Sequence, residues 1–203
     1  MNIDLLFLSR DLSPPRQDVW DAIQAQEGVA LRVIRITGSA RPSDRSRFET
    51  IARARNAGKR LGATPFVMLL DDDVVLGPQC VARLAAGLRM RQEFAALGAD
   101  TTGEMDSGWD HWDYPRHVRM TAVLFRRERL EALTFRWEPS QCDCQCCCDD
   151  LRRAGHAIGY LPGAEAWHRP LATAGVPPGV ESLHRTLPCR AAEATKQIGR
   201  AHV

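Results

Sequence analysis

Pro65-Phe66-Val67-Met68-Leu69-Leu70-Asp71-Asp72-Asp73 decides how the chain folds. A continuous apolar run opened by a proline and closed by three carboxylates has the profile of a strand covered on both faces, as in a sheet sandwiched between helices. In open α/β sheets the carboxyl end of such a strand is where ligands gather. Two unit charges about 4 Å apart interact by ~4 kcal/mol at an effective dielectric of about 20, so three clustered acids call for a cation or a basic partner. Oxygen donors select hard ions, Mg2+ or Mn2+, whose shells phosphate oxygens complete. The plainer alternative is a solvated acidic turn ahead of the next helix.

Working outward from that strand, residues 49–61 read as a basic helix carrying Arg53, Arg55, Lys59 and Arg60, with Gly62 as its stop. Before it, residues 31–36 alternate as a strand and residues 38–44 are turn formers. The chain opens on an apolar strand at residues 3–8. Ser13-Pro14-Pro15 then offers a cap and first-turn prolines to a helix with Val19, Trp20 and Ile23 at helical spacing, which ends by Gly28. Downstream, Val74-Val75-Leu76 leads through Gly77-Pro78 to a helix over residues 80–90. Residues 100–119 are polar and turn-rich, holding Trp109, Trp112 and Tyr114 among Asp106, Asp110 and Asp113; such aromatics either stack on sugar rings or fold inward. A strand at residues 121–125, helices at 126–133 and 149–154, a stop at Gly155 and a strand at 157–161 before Pro162-Gly163 complete the pattern. Strands separated by helices point to a mainly parallel sheet.

With 203 residues, 44% hydrophobic and 26% charged, and a formal net charge of +2, the chain suits one domain with its own core, and neither disorder nor a nucleic-acid partner is implied. No apolar run approaches the roughly 18 residues of a membrane span, and Met1-Asn2-Ile3-Asp4 lacks the basic and apolar regions of a signal peptide, so the expected location is cytoplasmic, with peripheral attachment to the inner face of a membrane left open. Of the seven cysteines, Cys80 and Cys189 stand alone while Cys142, Cys144, Cys146, Cys147 and Cys148 crowd together. An odd count and adjacent thiols argue for reduced cysteines. Cys144 and Cys147 form a Cys-x-x-Cys pair that Cys142 and Cys146 could supplement around zinc, but zinc modules use a second separated pair, so small thiols on a helix are the favoured reading. Ile198-Gly199-Arg200-Ala201-His202-Val203 back-translates to ATC GGA AGA GCA CAC GTC, which looks like a sequencing adapter read in frame; residues 198–203 are therefore expected to be a non-native tail on a C-terminally truncated chain.

Ala54-Arg55-Asn56-Ala57-Gly58 precedes the acids by a helix end and a strand. With the opening strand, helix and second strand before it, and with Leu70-Asp71-Asp72-Asp73 after it, the chain resembles the family 2 glycosyltransferases. The likeness continues at Thr121-Ala122-Val123-Leu124-Phe125-Arg126-Arg127, at Leu151-Arg152-Arg153-Ala154-Gly155 and at Tyr160-Leu161-Pro162-Gly163-Ala164-Glu165-Ala166-Trp167-His168. This resemblance implies a single-domain A-type glycosyltransferase fold over residues 1–197, a Rossmann-like mixed α/β sheet flanked by helices, with a nucleotide-sugar-binding half at 1–100 and an acceptor half at 101–197. It also implies a metal-dependent, inverting transfer, with Mn2+ or Mg2+ as cofactor. The donor would be a UDP- or GDP-linked nucleotide-diphosphate sugar and the acceptor a hydroxyl of a carbohydrate, a lipid-linked molecule or another compound. Asp71 and Asp73 would form the Asp-x-Asp motif, Asp73 being the more direct metal ligand, and His168 would approach the metal or diphosphate. Arg55, Asn56, Asp71 and Asp72 would lie near the nucleotide. The plain roles beside these are a solvated helix charge for Arg55, a local backbone hydrogen bond for Asn56 and a structural imidazole for His168.

Two departures stand out. Ile36-Thr37-Gly38-Ser39 occupies the place where many members carry a base-holding Asp. The family also sets Glu-Asp about a dozen residues before the glycine of Arg-Leu-x-x-x-Gly, and counting back from Gly155 reaches Asp143-Cys144. Asp143 is the first choice for the general base, with Asp149 and Asp150 as alternatives. The altered pair keeps a second reading open, a non-catalytic binding protein with a cysteine-rich metal or redox patch. A third, a sugar-phosphate nucleotidyltransferase, expects a glycine-rich loop that Ser9-Arg10-Asp11-Leu12-Ser13 does not supply.

Overall fold

The computed structural model describes residues 1–11, 13–102, 118–139 and 141–168. The elements run β1 (Asn2–Ser9), α1 (Gln17–Gln24), β2 (Ala30–Thr37), α2 (Arg47–Gly58), β3 (Phe66–Asp71), β4 (Val74–Leu76), α3 (Cys80–Met90), β5 (Phe94–Thr102), β6 (Ala122–Arg126), α4 (Arg127–Ala132), α5 (Asp143–Arg153) and β7 (Ala157–His168). One seven-stranded sheet has the order β2-β1-β3-β6-β5-β7-β4. Because side chains alternate along a strand, each central strand feeds two cores. Ile3, Leu5, Phe7, Met68, Leu70 and Leu124 pack with Val19 and Ile23 of α1 and with Val81, Leu84 and Leu88 of α3. Leu6, Leu8, Val67, Leu69, Val123 and Phe125 pack on the other side with Ala52 of α2, Leu130 of α4 and Cys147 and Leu151 of α5.

The sheet is mixed, which corrects the mainly parallel reading from strand and helix alternation. β1 is parallel to β2 and β3, and β5 is parallel to β7, but β6 is antiparallel to β3 and β5, and β4 is antiparallel to β7. An apolar run buried on both faces carries no record of its direction, so the sequence of β6 fits either. Strands β2 and β3 flank β1 on opposite sides, and the intervening helices α1 and α2 cover opposite faces, so the chain reverses its winding direction at β1 and β3. The crevice outside that reversal is where the acids after Leu70 emerge.

Several boundaries differ from those expected. Helix α1 starts behind Arg16, which makes no side-chain cap, so Ser13 is not its cap. Helix α2 ends at Gly58, where Ile36 leaves no room for a side chain, and Gly62 instead occupies a turn at φ +89°. Strand β5 is an element the sequence did not announce. Helix α5 begins at Asp143, well before residue 149, and its N-cap is Cys142, whose sulfur accepts from the Gln145 N–H. Strand β7 does not stop before Pro162-Gly163: its register against β5 jumps from Ala99↔Leu161 to Asp100↔Glu165, a bulge that Gly163 turns with φ +75°.

At the amino end of β1, Asp4 is wholly buried between Arg32 and Arg127. It also accepts the N–H groups of Ala63 and Thr64 at 2.8 and 2.9 Å. Burial alone would push this carboxyl up, but the hydrogen bonds from Arg32, Thr64 and Ala63 outweigh it and hold Asp4 well below the usual carboxylate range.

Candidate functional site

Strand β3 ends at Asp71, and Asp72 and Asp73 turn the chain into β4. Strand β4 pairs with β7 so that Val74 faces His168, and this register brings His168 Nε2 to 3.0 Å from Asp73 Oδ2, the two side chains being 18% and 23% exposed. Asp71, 22% exposed, is turned to α2, where Arg55 Nη2 donates to its Oδ1 at 3.2 Å. Burial pushes the Asp72 carboxyl up and the charge of Asp73 adds to the shift.

Arg55 joins the two halves of the site. Its guanidinium is 3% exposed, and Nη1 donates to Asp143 Oδ2 while Nη2 also donates to the Met120 carbonyl at 2.9 Å. The ring centroid of Phe135 lies 5.9 Å away, within cation–π range. Asp143 is the first residue of α5 and is almost wholly enclosed, its Oδ1 approached by the thiol of Cys144. Burial pushes Asp143 up to about 7, with Cys144 adding and Arg55 opposing. Burial likewise pushes Asp71 up to about 7, opposed by Arg55 and reinforced by Asp73. For Arg55 itself burial disfavours the charge, but the two carboxylates more than offset that and keep it protonated. One cation between two acids leaves an excess of negative charge when both are ionised.

These contacts redistribute the roles the sequence suggested. Arg55 is not a solvated helix charge; it is enclosed by protein. Asn56 does not make a local bond: its Nδ2 donates to the Phe135 carbonyl at 2.6 Å and the Phe135 N–H donates back to Oδ1 at 3.0 Å, so both ends of the amide hold the segment before α5. Asp150 is held by Arg136 and Arg153, and Asp149 by Gln141 and Arg152 at 3.4 and 3.5 Å. Of the three base candidates, Asp143 is the one these contacts bring to Arg55 and Asp71.

Cys80, Cys144, Cys146, Cys147 and Cys148 are buried in the core, and Cys142 is partly buried. Cys144 accepts from the Met120 N–H and Cys148 from the Val118 N–H, each at 3.3 Å, and burial pushes the Cys148 thiol up to about 12. Among the described residues no three His, Cys, Asp or Glu side chains converge as a ligand set, so the zinc reading gains no support and Asp71 does not join Asp73 and His168 around one point. Those two residues nonetheless suit a shared ion. His168 Nε2 and Asp73 Oδ2 are hydrogen-bonded to each other at 3.0 Å, and an ion replacing the shared proton would find a carboxylate oxygen and an imidazole nitrogen side by side. Two protein donors, with water and phosphate oxygens completing the shell, are the usual arrangement for a nucleotide-bound divalent ion.

Asp44 is a residue whose part went unrecognised in the sequence. In the loop after β2 it accepts from the Arg41 N–H at 2.8 Å and from Thr50 Oγ1 at 2.6 Å, and it pairs with Arg53. It orders the loop near the place of the missing base-holding Asp, and its signal was an acid in a turn facing a basic helix. Trp109, Trp112, Tyr114, Cys189 and the tail at 198–203 lie outside the described residues.

No family profile and no curated protein matches the sequence. Solved structures do match. TarS of S. aureus superposes with a TM-score of 0.60 at 11% identity, over 83% of this chain and 37% of that one. The mannosyltransferase PcManGT from Pyrobaculum calidifontis, in complex with GDP-Man and Mn2+, gives a TM-score of 0.61 at 13% identity, over 85% of this chain and 58% of that one. Glucosyl-3-phosphoglycerate synthase from Mycobacterium tuberculosis, with Mg2+ and UDP, gives 0.52 at 14% identity, over 83% of this chain and 70% of that one. The chain thus spans between about a third and three fifths of the length of the TarS and PcManGT chains. At this identity the likeness establishes the architecture, a mixed seven-stranded sheet flanked by helices in the GT-A arrangement.

Proposed function

We propose that this chain, whose fold is that of the GT-A glycosyltransferases, transfers a sugar from a UDP- or GDP-linked donor to an acceptor hydroxyl, with inversion and with the help of a divalent metal. The observation that carries this reading is the placement of Asp73 beside His168 at the carboxyl end of β3, outside the point where the sheet reverses its winding. The same architecture holds UDP-GlcNAc in TarS and GDP-Man with Mn2+ in PcManGT.

The donor diphosphate would lie in the crevice above β1 and β3. Asp73 and His168 would hold Mn2+ or Mg2+, which when bound neutralises charge on the departing nucleotide diphosphate. Asp72, next in the chain to Asp73, would lie toward the nucleotide. Asp143 takes the acceptor proton: a carboxyl raised to about 7 is both a fair fraction ionised and strong enough as a base near neutrality. With 2% of its side chain exposed, it takes that proton only from a hydroxyl seated closely against the start of α5.

Thermal unfolding with UDP or GDP, each with and without Mn2+, tests the reading. The folded protein is expected to be stabilised by one diphosphate in the presence of the metal, because a ligand bound only to the folded state raises apparent stability by mass action. Slow Mn2+-dependent release of the same diphosphate from its sugar conjugate should accompany it, and Asp73→Asn should remove both effects. Stabilisation by neither diphosphate would sink the proposal, and NTP formation driven by pyrophosphate would replace it with nucleotidyl transfer.

A further inference from the structure

We propose that Arg55 is a positioning residue of the transferase, one that sets Asp143 and Asp71 in register with each other and makes no contact with the donor. This rests on the proposed transfer reaction and adds to it. Arg55 reaches residues far apart in the chain: Asp71, Met120 and Asp143 lie 16, 65 and 88 positions away. All three contacts come from the two terminal nitrogens of one planar fork, with Phe135 near the guanidinium carbon. A fork of this kind fixes the direction of each acceptor as well as its distance, which a lysine ammonium does not. Asp143 heads α5 and Asp71 ends β3, so the guanidinium ties the acceptor-side acid directly to the strand that delivers Asp73 to His168. A buried cation is tolerated only when its charge and hydrogen bonds are answered, and here both carboxylates and a carbonyl answer it from within the protein. Its exposure of 3% leaves no surface for a phosphate or a base.

The experiment compares wild type, Arg55→Lys, Asp143→Asn and the double variant, after unfolding curves have shown which are folded. The Kd for UDP or GDP with Mn2+ and the kcat for donor hydrolysis or transfer are both measured. Arg55→Lys is expected to lower kcat at least 100-fold while changing the Kd less than threefold, and to cost no further kcat in the Asp143→Asn background. A Kd weakened more than tenfold by Arg55→Lys, or losses that multiply with those of Asp143→Asn, would show that Arg55 acts on the donor and overturn the inference alone; so would wild-type kcat in Arg55→Lys. A wild type that binds neither diphosphate overturns the transferase reading and the inference with it. Should Arg55→Lys not fold, Arg55→Gln with Asp143→Asn supplies the comparison: a Kd within threefold of Asp143→Asn alone supports the inference, and a larger loss overturns it.

Discussion

Asp71 and Asp143 share one guanidinium, and burial pushes each of them up to about 7. Their protonated forms therefore favour the folded state: that contribution is fully present below the ordinary carboxyl value of about 4 and is lost as pH rises through about 7. Activity runs the other way, since a base has to be ionised. The proposed reaction should show kcat rising with pH to a plateau, with a midpoint near 7, in a pH–rate profile whose acid limb disappears from the residual activity of Asp143→Asn. Asn56 has a different duty, and Asn56→Ala should cost about 1–3 kcal/mol in a urea titration, by leaving the Phe135 amide and carbonyl unpaired, with nucleotide affinity unchanged. The acids after Leu70 were legible because three carboxylates closing an apolar run have few explanations. Arg55 was not, since its partners come from three distant stretches and a lone arginine on a helix announces none of them.

Among the elements, β1, β2, β3 and α3 could be read from patterns because each is either long and apolar or cleanly periodic. Strand β5 went unread because Ala95, Ala96 and Gly98 offer no β-branched signal; Gly98 is small because Val118 and Tyr160 press on it, a constraint invisible along the chain. Helix α5 was expected only from residue 149 because Asp143 to Cys148 lack a clean apolar period, although the favoured reading of its cysteines as small thiols on a helix agrees with their place in the core. Two turn glycines should separate in their tolerance. A Cβ at Gly62 would lie 2.2 Å from Asp4 Oδ2 at φ +89°, so Gly62→Ala should lose more than about 2 kcal/mol. At Gly163 the obstacle is Arg83 Nη1, the movable end of a side chain, at 2.9 Å, so Gly163→Ala should cost about 1 kcal/mol for its left-handed backbone, the two values being read from chemical denaturation.

For the whole molecule, stability in acid hinges on the end of the sheet opposite the candidate site. Asp4 is held below its ordinary range, so its contribution is present above about pH 4 and is lost as pH falls through its lowered folded value. Asp4→Asn should cost about 3 kcal/mol at pH 7, by leaving Arg32 and Arg127 without their shared partner, and the gap from wild type should shrink in melts taken progressively below pH 4. The layered plan was legible from the alternation of strands and helices; the direction of β6 and the bulge in β7 were not, since both depend on neighbours in the sheet. Residues 143–168 leave the crevice as α5 and return to it as β7, so Asp143 and His168 begin and end a single excursion. Its far tip is Gly155, solvent-exposed with open space where a Cβ would sit and, across an 11-residue helix, about 16 Å from Asp143. A fluorophore or affinity handle spliced in at that tip would sit on the same stretch of chain as both chemical groups, a helix length away from Asp143.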